Sequence, residues 1–437
     1  MNLQTPEKIR TLQRKLYFAA KEKPERRFHQ LYDQVYRPDI LLHAYRLSKS
    51  LGGAAGADGQ TFADIESAGR AEWLEGLREE LRAQTYRPSP VRRVMIPKPN
   101  GGERPLGIPT IRDRVAQAAA KLVIEPIFEA DFEDCAYGYR PKRGARDAVE
   151  KVHEGLLAGY TDVVDADLSK FFDTIPHDQL MQSVARRIVD RRMLALIKAW
   201  LSVSVVMTDD RGRKRVEPGG RRGTPQGGVI SPLLANIYMH RYLRHWRERG
   251  CGERFQARIV NYADDFVILS RGRAEEALSW TRKVMQAIGL ELNETKTRLC
   301  NAREASFDFL GYSFGPHIYR RTGRTYTAAW PSKKSVTRLK ESVARILGPR
   351  VDPWGAVRDQ LNRTLRGWLN YFNYGTTART CWILDNYVYK RVLGFLRRRH
   401  KVSTRGTRVF PAEVVYGRLG VHPPWHRPWL VAPCAAR

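Results

Sequence analysis

Cysteine is scarce in this chain: Cys135, Cys251, Cys300, Cys381 and Cys434 lie far apart, with no CxxC and no histidine pair at zinc-finger spacing. That excludes a disulfide framework and a zinc knuckle, and reads as single reduced thiols of a cytosolic protein. Long apolar runs are missing too. No uncharged stretch is long enough to cross a bilayer, and the opening MNLQTPEKIRTLQRK has no apolar core of signal-peptide length. The expectation is a cytoplasmic protein with no membrane partner. Internal repeats and low-complexity tracts are absent as well. Negative charge is in deficit, with 46 acidic residues against 76 basic ones and a formal balance of +30. The basic excess recurs in nearly every segment, which points to a long polyanion lying across the folded body; a ribosome-like structural protein and a merely soluble basic enzyme are the blander readings.

What is present supports a sizeable core: 42% of the 437 residues are hydrophobic, and aromatics occur throughout. At roughly 150 residues per domain the length suggests about two to four lobes. Residues 1–50 read as charged helices, with Ile9, Leu12 and Leu16, then Leu31 and Val35, at helical spacing. GGAAGADG at 52–59 interrupts them and reads as a mobile loop, either a plain linker or a lid. RRVMIPKPNGGERPLGIP at 92–109 has the pattern of a hairpin turning at Pro-Asn-Gly-Gly. Helices are expected at 113–128 and 145–158. DVVDADLSKFFDTIPHDQL, from 162, opens as a buried strand, followed by a helix over about 178–200 and a basic, turn-rich loop. GTPQGGVISPLLANIYMHRYL then feeds a Gly-Pro loop into a helix, NYADDFVIL sits in a hairpin at 258–270, and FDFLGYSF is a further strand. This alternation predicts an α+β fold with helices backing an antiparallel sheet. Beyond about 330, Val336, Leu339, Val343 and Ile346 share one helical face, as do Val357, Leu361, Leu365 and Trp368. That predicts a helical lobe with a cationic side.

The paired carboxylates carry the chemistry. Asp264 and Asp265 within NYADDFVIL would place two negative charges a few ångströms apart, and a divalent cation removes that conflict; hard oxygen ligands suit magnesium. VVDADL supplies a second acidic strand, where the period of two puts Asp165 and Asp167 on one face and leaves both open as ligands. Three carboxylates around two ions are the usual means of activating a hydroxyl and stabilising a leaving pyrophosphate in nucleotidyl transfer. An Asp-Asp turn alone would be a solvated turn more often than a metal site. Combined with a second acidic strand, a basic chain and the PQGG loop, it is far more specific.

These residues resemble the reverse transcriptase/maturase proteins encoded by bacterial group II introns. The matching blocks occur in order: IPKPNGGERPLGIPTIRDR, FEDCAYGYRPKRGARDAV, VVDADLSKFFDTIPHD, GTPQGGVISPLLANIYM, NYADD, LELNETKTRL and FDFLGYSF, with LRGWLNYFNYG extending into the family's thumb. The resemblance implies a right-hand polymerase fold, with fingers and palm followed by an α-helical thumb. It selects Asp167, rather than Asp165, as the partner of Asp264 and Asp265 in a catalytic triad holding two Mg2+ ions, for which Mn2+ can substitute. It gives Leu168 a backbone carbonyl for one metal. Phe172 matches the bulky residue that excludes a 2′-hydroxyl, although plain core packing would also explain a phenylalanine there. Lys98, Arg104, Gln226 and Gly227 match positions around the incoming dNTP. Lys296 matches a lysine near the departing pyrophosphate, a possible proton donor. Phe309, Leu310, Gly311 and Tyr312 match the primer grip.

The implied organisation is an N-terminal helical extension and Gly-rich loop over 1–60, fingers and palm over 61–320, a thumb over 321–400 and a basic tail over 401–437 that retains a reduced DNA-binding segment or is a structural extension. The family's nuclease domain with paired cysteines is not expected, which suggests use of pre-existing primers or a domesticated relative. Expected partners are group II intron RNA, an RNA template with a DNA primer, dNTPs and target DNA, so that in use the protein associates with the nucleoid. Two further functions stay open: an RNA-binding splicing cofactor without polymerase turnover, and a domesticated enzyme of defence or DNA repair. Sequence leaves the oligomeric state and the particular intron undefined.

Overall fold

The computed structural model describes residues 3–97, 102–208, 213–319, 322–348 and 352–425. Lys98 and the Pro-Asn-Gly part of the expected fingers turn lie outside them. In chain order the strands of the described residues are β1 (Val91–Pro97), β2 (Glu103–Ile108), β3 (Asp162–Asp167), β4 (Val205–Thr208), β5 (Lys214–Glu217), β6 (Ala257–Tyr262), β7 (Asp265–Ser270), β8 (Arg298–Asn301), β9 (Phe307–Phe309), β10 (Tyr312–Ile318) and β11 (Thr325–Pro331). The chain forms two compact units. One comprises Met1–Gly144, Ala166–Phe266 and Glu275–Thr297; the other comprises Ala145–Asp165, Val267–Ala274 and Arg298–Arg437.

The first unit is organised around the helix Ile111–Glu129, which is buried on nearly every side from Ile111 to Phe128. A helix apolar all round belongs in a core, and the helices Glu7–Glu22 and Pro38–Leu51 pack against it. Its start is fixed by Thr110, whose hydroxyl accepts from Asp113 N at 3.1 Å. β1 and β2 form the expected hairpin, in register from Arg92 opposite Ile108 to Pro97 opposite Glu103. The GGAAGADG stretch is pinned rather than free. Arg114 donates to the carbonyls of Gly52 and Ala54, and Gly56 lies so close to Thr110 that a Cβ would stand 2.6 Å from its Cα.

Two readings of the middle of the chain need correction. The segment expected as one helix over about 178–200 is two, His177–Ala185 and Arg191–Leu201. The break is Asp190, which accepts from Arg192 N and Met193 N at the head of the second helix and from Leu31 N and Tyr32 N across the fold. The basic loop after it contains a hairpin, β4 with β5, that extends the fingers hairpin into a sheet of order β2-β1-β4-β5, with β4 parallel to β1. β4, VVMT, is too short to show a period, and β5, KRVE, is mostly charged, so neither stands out from the basic loop in the sequence.

A second sheet has the order β6-β7-β3-β8. β7 is fully buried from Phe266 to Leu269, as a central strand covered on both faces must be. β3 pairs antiparallel with β8, placing Asp165 opposite Arg298.

Within the second unit, FDFLGYSF is a tight hairpin and not one strand. β9 turns into β10 at Leu310 and Gly311, both at positive φ (49° and 79°), and β10 continues into antiparallel β11. The helices Lys333–Ile346, Trp354–Tyr371 and Ala378–Arg399 bury the predicted stripes: Leu339, Val343, Val357, Leu361 and Leu365 are core residues, with Val336, Ile346 and Trp368 packed against them. The segment beyond 400 joins that core through Val415, Tyr416 and Val421, carried in part by a short wide-turn helix, Glu413–Arg418. Among the described residues no helix is long and apolar enough to cross a membrane.

Candidate active site

β3 delivers its acidic residues with alternating burial: Val164, Ala166 and Leu168 are buried, whereas Asp165 and Asp167 are half-buried. Past β3 the chain pairs with residues 291–293. Ser169 N donates to Glu291 O at 2.9 Å, Asn293 N donates to Asp167 O at 2.8 Å, and Leu168 bridges to Leu292. A turn then closes through Lys296 N to Asn293 O at 3.0 Å. This pairing sets Lys296 Nζ 2.9 Å from Asp167 Oδ2. Lys296 is thus a loop residue tied to Asp167. The Leu168 side chain is buried.

Between β6 and β7 the turn residues are Ala263 and Asp264; Asp265 is the first residue of β7. The two carboxylates are therefore not equivalent turn positions, and each is half-buried. Ala263 has φ +59°, a left-handed conformation costing roughly 1–2 kcal/mol outside glycine, and its surroundings hold it there. Asn261 Nδ2 donates to Ala263 O at 2.9 Å, while Asn261 exchanges backbone hydrogen bonds with Cys135 O and Tyr137 N. Gly138 lies beneath the turn, where a Cβ would come within 2.5 Å of Ala263 N. Glycine is needed there because the backbones touch.

Burial raises the carboxyl pKa of Asp264 above its usual value, and the nearby charge of Asp167 raises it further, against the opposing pull of Arg104 and Lys296. The two carboxylates supply the hard oxygen donors that a divalent ion takes, and Lys296, bonded to Asp167, offsets part of their repulsion. Among the described residues no three His, Cys, Asp or Glu side chains stand close enough to enclose a metal, this trio included; Asp167 is instead turned to Lys296.

The remaining candidate residues surround this centre unevenly. Phe172 is buried, edge-on to Tyr139 at 6.4 Å and to Phe171 at 5.5 Å, and its carbonyl accepts from Thr224 N at 2.6 Å. Tyr139 escaped the sequence reading. It stands at φ +57°, and its hydroxyl pKa is raised by burial and by Asp264. An aromatic between Gly138 and Arg140 was the available signal. Arg104 Nε donates to Gln226 Oε1 at 2.6 Å, and Gln226 Nε2 donates to both oxygens of Asp173 at 3.1 Å. Gly227, at φ +110°, approaches the β2 backbone: a Cβ would lie 2.3 Å from Gly107 O. Its missing side chain thus serves the seam between the PQGG loop and the fingers hairpin.

The primer-grip candidates lie in the second unit. Phe309 and Tyr312 are buried; the turn between them is held by Tyr371 Oη donating to Leu310 O at 2.8 Å, and by Ser332 N and Ser335 Oγ donating to Gly311 O at 2.9 Å each. An open groove of about 570 Å³ runs from Leu310 and Gly311 past Arg338 and Arg363 to Trp368 and Tyr371.

Comparison with known proteins accounts for both units. Residues 96–314 match the family model of reverse transcriptase (RNA-dependent DNA polymerase), and residues 336–410 match the maturase-specific domain of group II introns. Protein YkfC of Escherichia coli strain K12 is 37% identical over 341 residues, 70% of this chain and 87% of that protein. The group II intron-encoded protein LtrA of Lactococcus lactis subsp. cremoris is 35% identical over 215 residues, 49% of this chain but only 34% of LtrA. Among solved structures, telomerase from Candida albicans aligns with 75% of this chain and 64% of that one, at TM-score 0.42 and 12% identity. A polymerase family model followed by an intron maturase domain, on an α+β fold with helices over antiparallel sheets, leads to one assignment: the chain belongs to the group II intron reverse transcriptase/maturases, with their right-hand polymerase fold.

Proposed function

We propose that the chain copies RNA into DNA at Asp167, Asp264 and Asp265 and also binds group II intron RNA to promote splicing and retrotransposition. The observation that carries the proposal is the convergence of Asp167, Asp264, Lys296 and Arg104 at the end of β3 and the β6–β7 turn. The three aspartates, with the carbonyl of Leu168, are the residues that would hold two Mg2+ ions. Bound there, such ions would ease ionisation of a primer 3′-hydroxyl and would neutralise charge on the departing pyrophosphate.

The protein's own groups do the rest. Arg104, with Lys98, binds the triphosphate of a dNTP, and Gln226 and Gly227 flank it. Phe172, locked by the Tyr139 and Phe171 rings, cannot yield to a 2′-hydroxyl and so excludes ribonucleotides. Lys296 Nζ neutralises Asp167 before substrate arrives and gives a proton to the leaving pyrophosphate. Tyr312 and the Leu310–Gly311 turn hold the primer end, and the Arg338 and Arg363 groove follows its backbone. Fingers and palm then correspond to 61–320, and the thumb to 321–400 with 410–421 packed into its core. The chain acts on target DNA and intron RNA at the nucleoid.

Primer extension on an RNA template with Mg2+ and dNTPs tests this reading. The wild type should give full-length DNA, and Asp264→Ala with Asp265→Ala should lower the rate by about 10³-fold or more, with intron RNA affinity within a few-fold of wild type. A double variant that still extends primers would remove the site assignment. Failure of the wild type to extend, with intron RNA still bound tightly, would select the splicing cofactor.

A further inference from the structure

We propose that Asp173 is a positioning residue: its carboxylate orients the Gln226 amide so that Gln226 Oε1 faces Arg104 and presets that guanidinium for a triphosphate. This rests on the placement of Arg104 and Gln226 beside the incoming nucleotide.

The chain of contacts is short. Asp173 follows Phe172 on the one-turn helix Phe171–Thr174, entered at Lys170 with φ +48° and closed by Asp173 N donating to Lys170 O at 2.8 Å. The loop bearing Gln226 lies on this turn. Thr224 N donates to Phe172 O at 2.6 Å, and Gly223 fits so closely that a Cβ would be 2.9 Å from Asp173 O. Backbone contacts thus bring the Gln226 side chain within reach of Asp173, and the two bonds of 3.1 Å follow.

An amide is ambiguous by itself, because its oxygen and nitrogen ends are nearly the same shape. Beside an ionised carboxylate, which only accepts, the nitrogen end must face Asp173. The oxygen end is then left for Arg104 Nε, at 2.6 Å. A neutral acceptor there steers the guanidinium without cancelling its charge, whereas a carboxylate in its place would neutralise it. Among the described residues Arg104 Nη1 and Nη2 have no hydrogen-bond partner, so the fork that suits phosphate remains available. Its charge reaches Asp264 and Tyr139. Asp173 lies at the far end of this relay and touches neither nucleotide nor metal in this scheme.

The test is steady-state dNTP incorporation with KM and kcat resolved, in the full chain, for Asp173→Ala, Gln226→Ala, Arg104→Ala and the Asp173→Ala/Gln226→Ala pair. Because Asp173 is exposed, Asp173→Ala should raise the KM for dNTP by about 3- to 10-fold, with kcat within about 2-fold and an unchanged melting temperature. In the Gln226→Ala background it should add nothing, since the relay is already cut. Asp173→Asn should retain part of the loss, because an amide no longer dictates which end of Gln226 it meets. Equal effects in both backgrounds, or a KM unchanged while Gln226→Ala and Arg104→Ala raise it, would overturn the relay alone. A KM unaffected by Arg104→Ala and Gln226→Ala would overturn the nucleotide-side reading and the relay with it.

Discussion

The turn that carries Asp264 and the helical core around Leu361 are built on opposite terms. In the helical lobe every local preference agrees: apolar residues recur at helical spacing, and the stripes of three helices meet in one core from Leu339 to Val421. Around Asp264, preferences conflict. A non-glycine residue stands at positive φ, one half-buried carboxyl has its ionisation opposed, and a second is held by a lysine. Consistency between levels marks a region whose sequence serves stability. Conflict sustained by surrounding contacts, such as Asn261 and Gly138 under Ala263, marks one whose sequence serves chemistry.

Substitutions can break or sharpen that contrast. The largest effect on stability belongs to the core: Leu361 is fully buried, so Leu361→Ala should cost about 2–5 kcal/mol, read as a lower denaturation midpoint of the helical lobe. A loss near zero would mean that the predicted stripe is not what holds the lobe together. Tyr371→Phe removes the hydroxyl bonded to Leu310 O. Because Tyr371 is itself exposed and water can replace it, the cost should be about 0.5–1 kcal/mol, with faster amide exchange at the Leu310–Gly311 turn as the local readout.

The smallest effect has the opposite sign. Burial and the charge of Asp167 make Asp264 bind its proton more tightly in the folded chain than in the unfolded one. Stability is therefore lost as pH rises from the ordinary carboxylate pKa through the raised one, and stays lost at pH 7. Asp264→Asn should melt higher than wild type at pH 7, with the difference shrinking below about pH 4. A variant less stable than wild type at pH 7 would show that Asp264 serves the fold, and the contrast would fail.

The difference between the regions also explains what could be read in advance. Helices with a single apolar face, the β1–β2 pairing and the acidic strands were legible because each leaves a periodic trace. The β4–β5 hairpin was not, because β4 is only four residues long, β5 is mostly charged, and β4 is aligned by its pairing with β1. The break at Asp190 was hidden for a similar reason: an aspartate inside an apolar pattern reads as a surface residue until Leu31 and Tyr32 supply their N–H groups. FDFLGYSF read as one strand because aromatic residues, which favour strands, recur through it; only the left-handed geometry of Leu310 and Gly311 reveals a turn. Asp173 was missed because no local spacing points at it, and Tyr139 because only its neighbours Gly138 and Arg140 hint at it.

By itself, then, the sequence determined the class of chemistry and the kind of partner. Carboxylates two residues apart or adjacent in the chain, and +30 of charge spread over it, are properties of residue type and spacing that folding does not alter. The tertiary structure alone decided which groups face one another. Asp167 meets Lys296 across 129 positions of chain, Arg104 meets Gln226 across 122, and Gln226 meets Asp173 across 53. Such meetings depend on how strands and loops pair at long range, and side-chain interactions of hydrogen-bond length leave no period in the sequence to read.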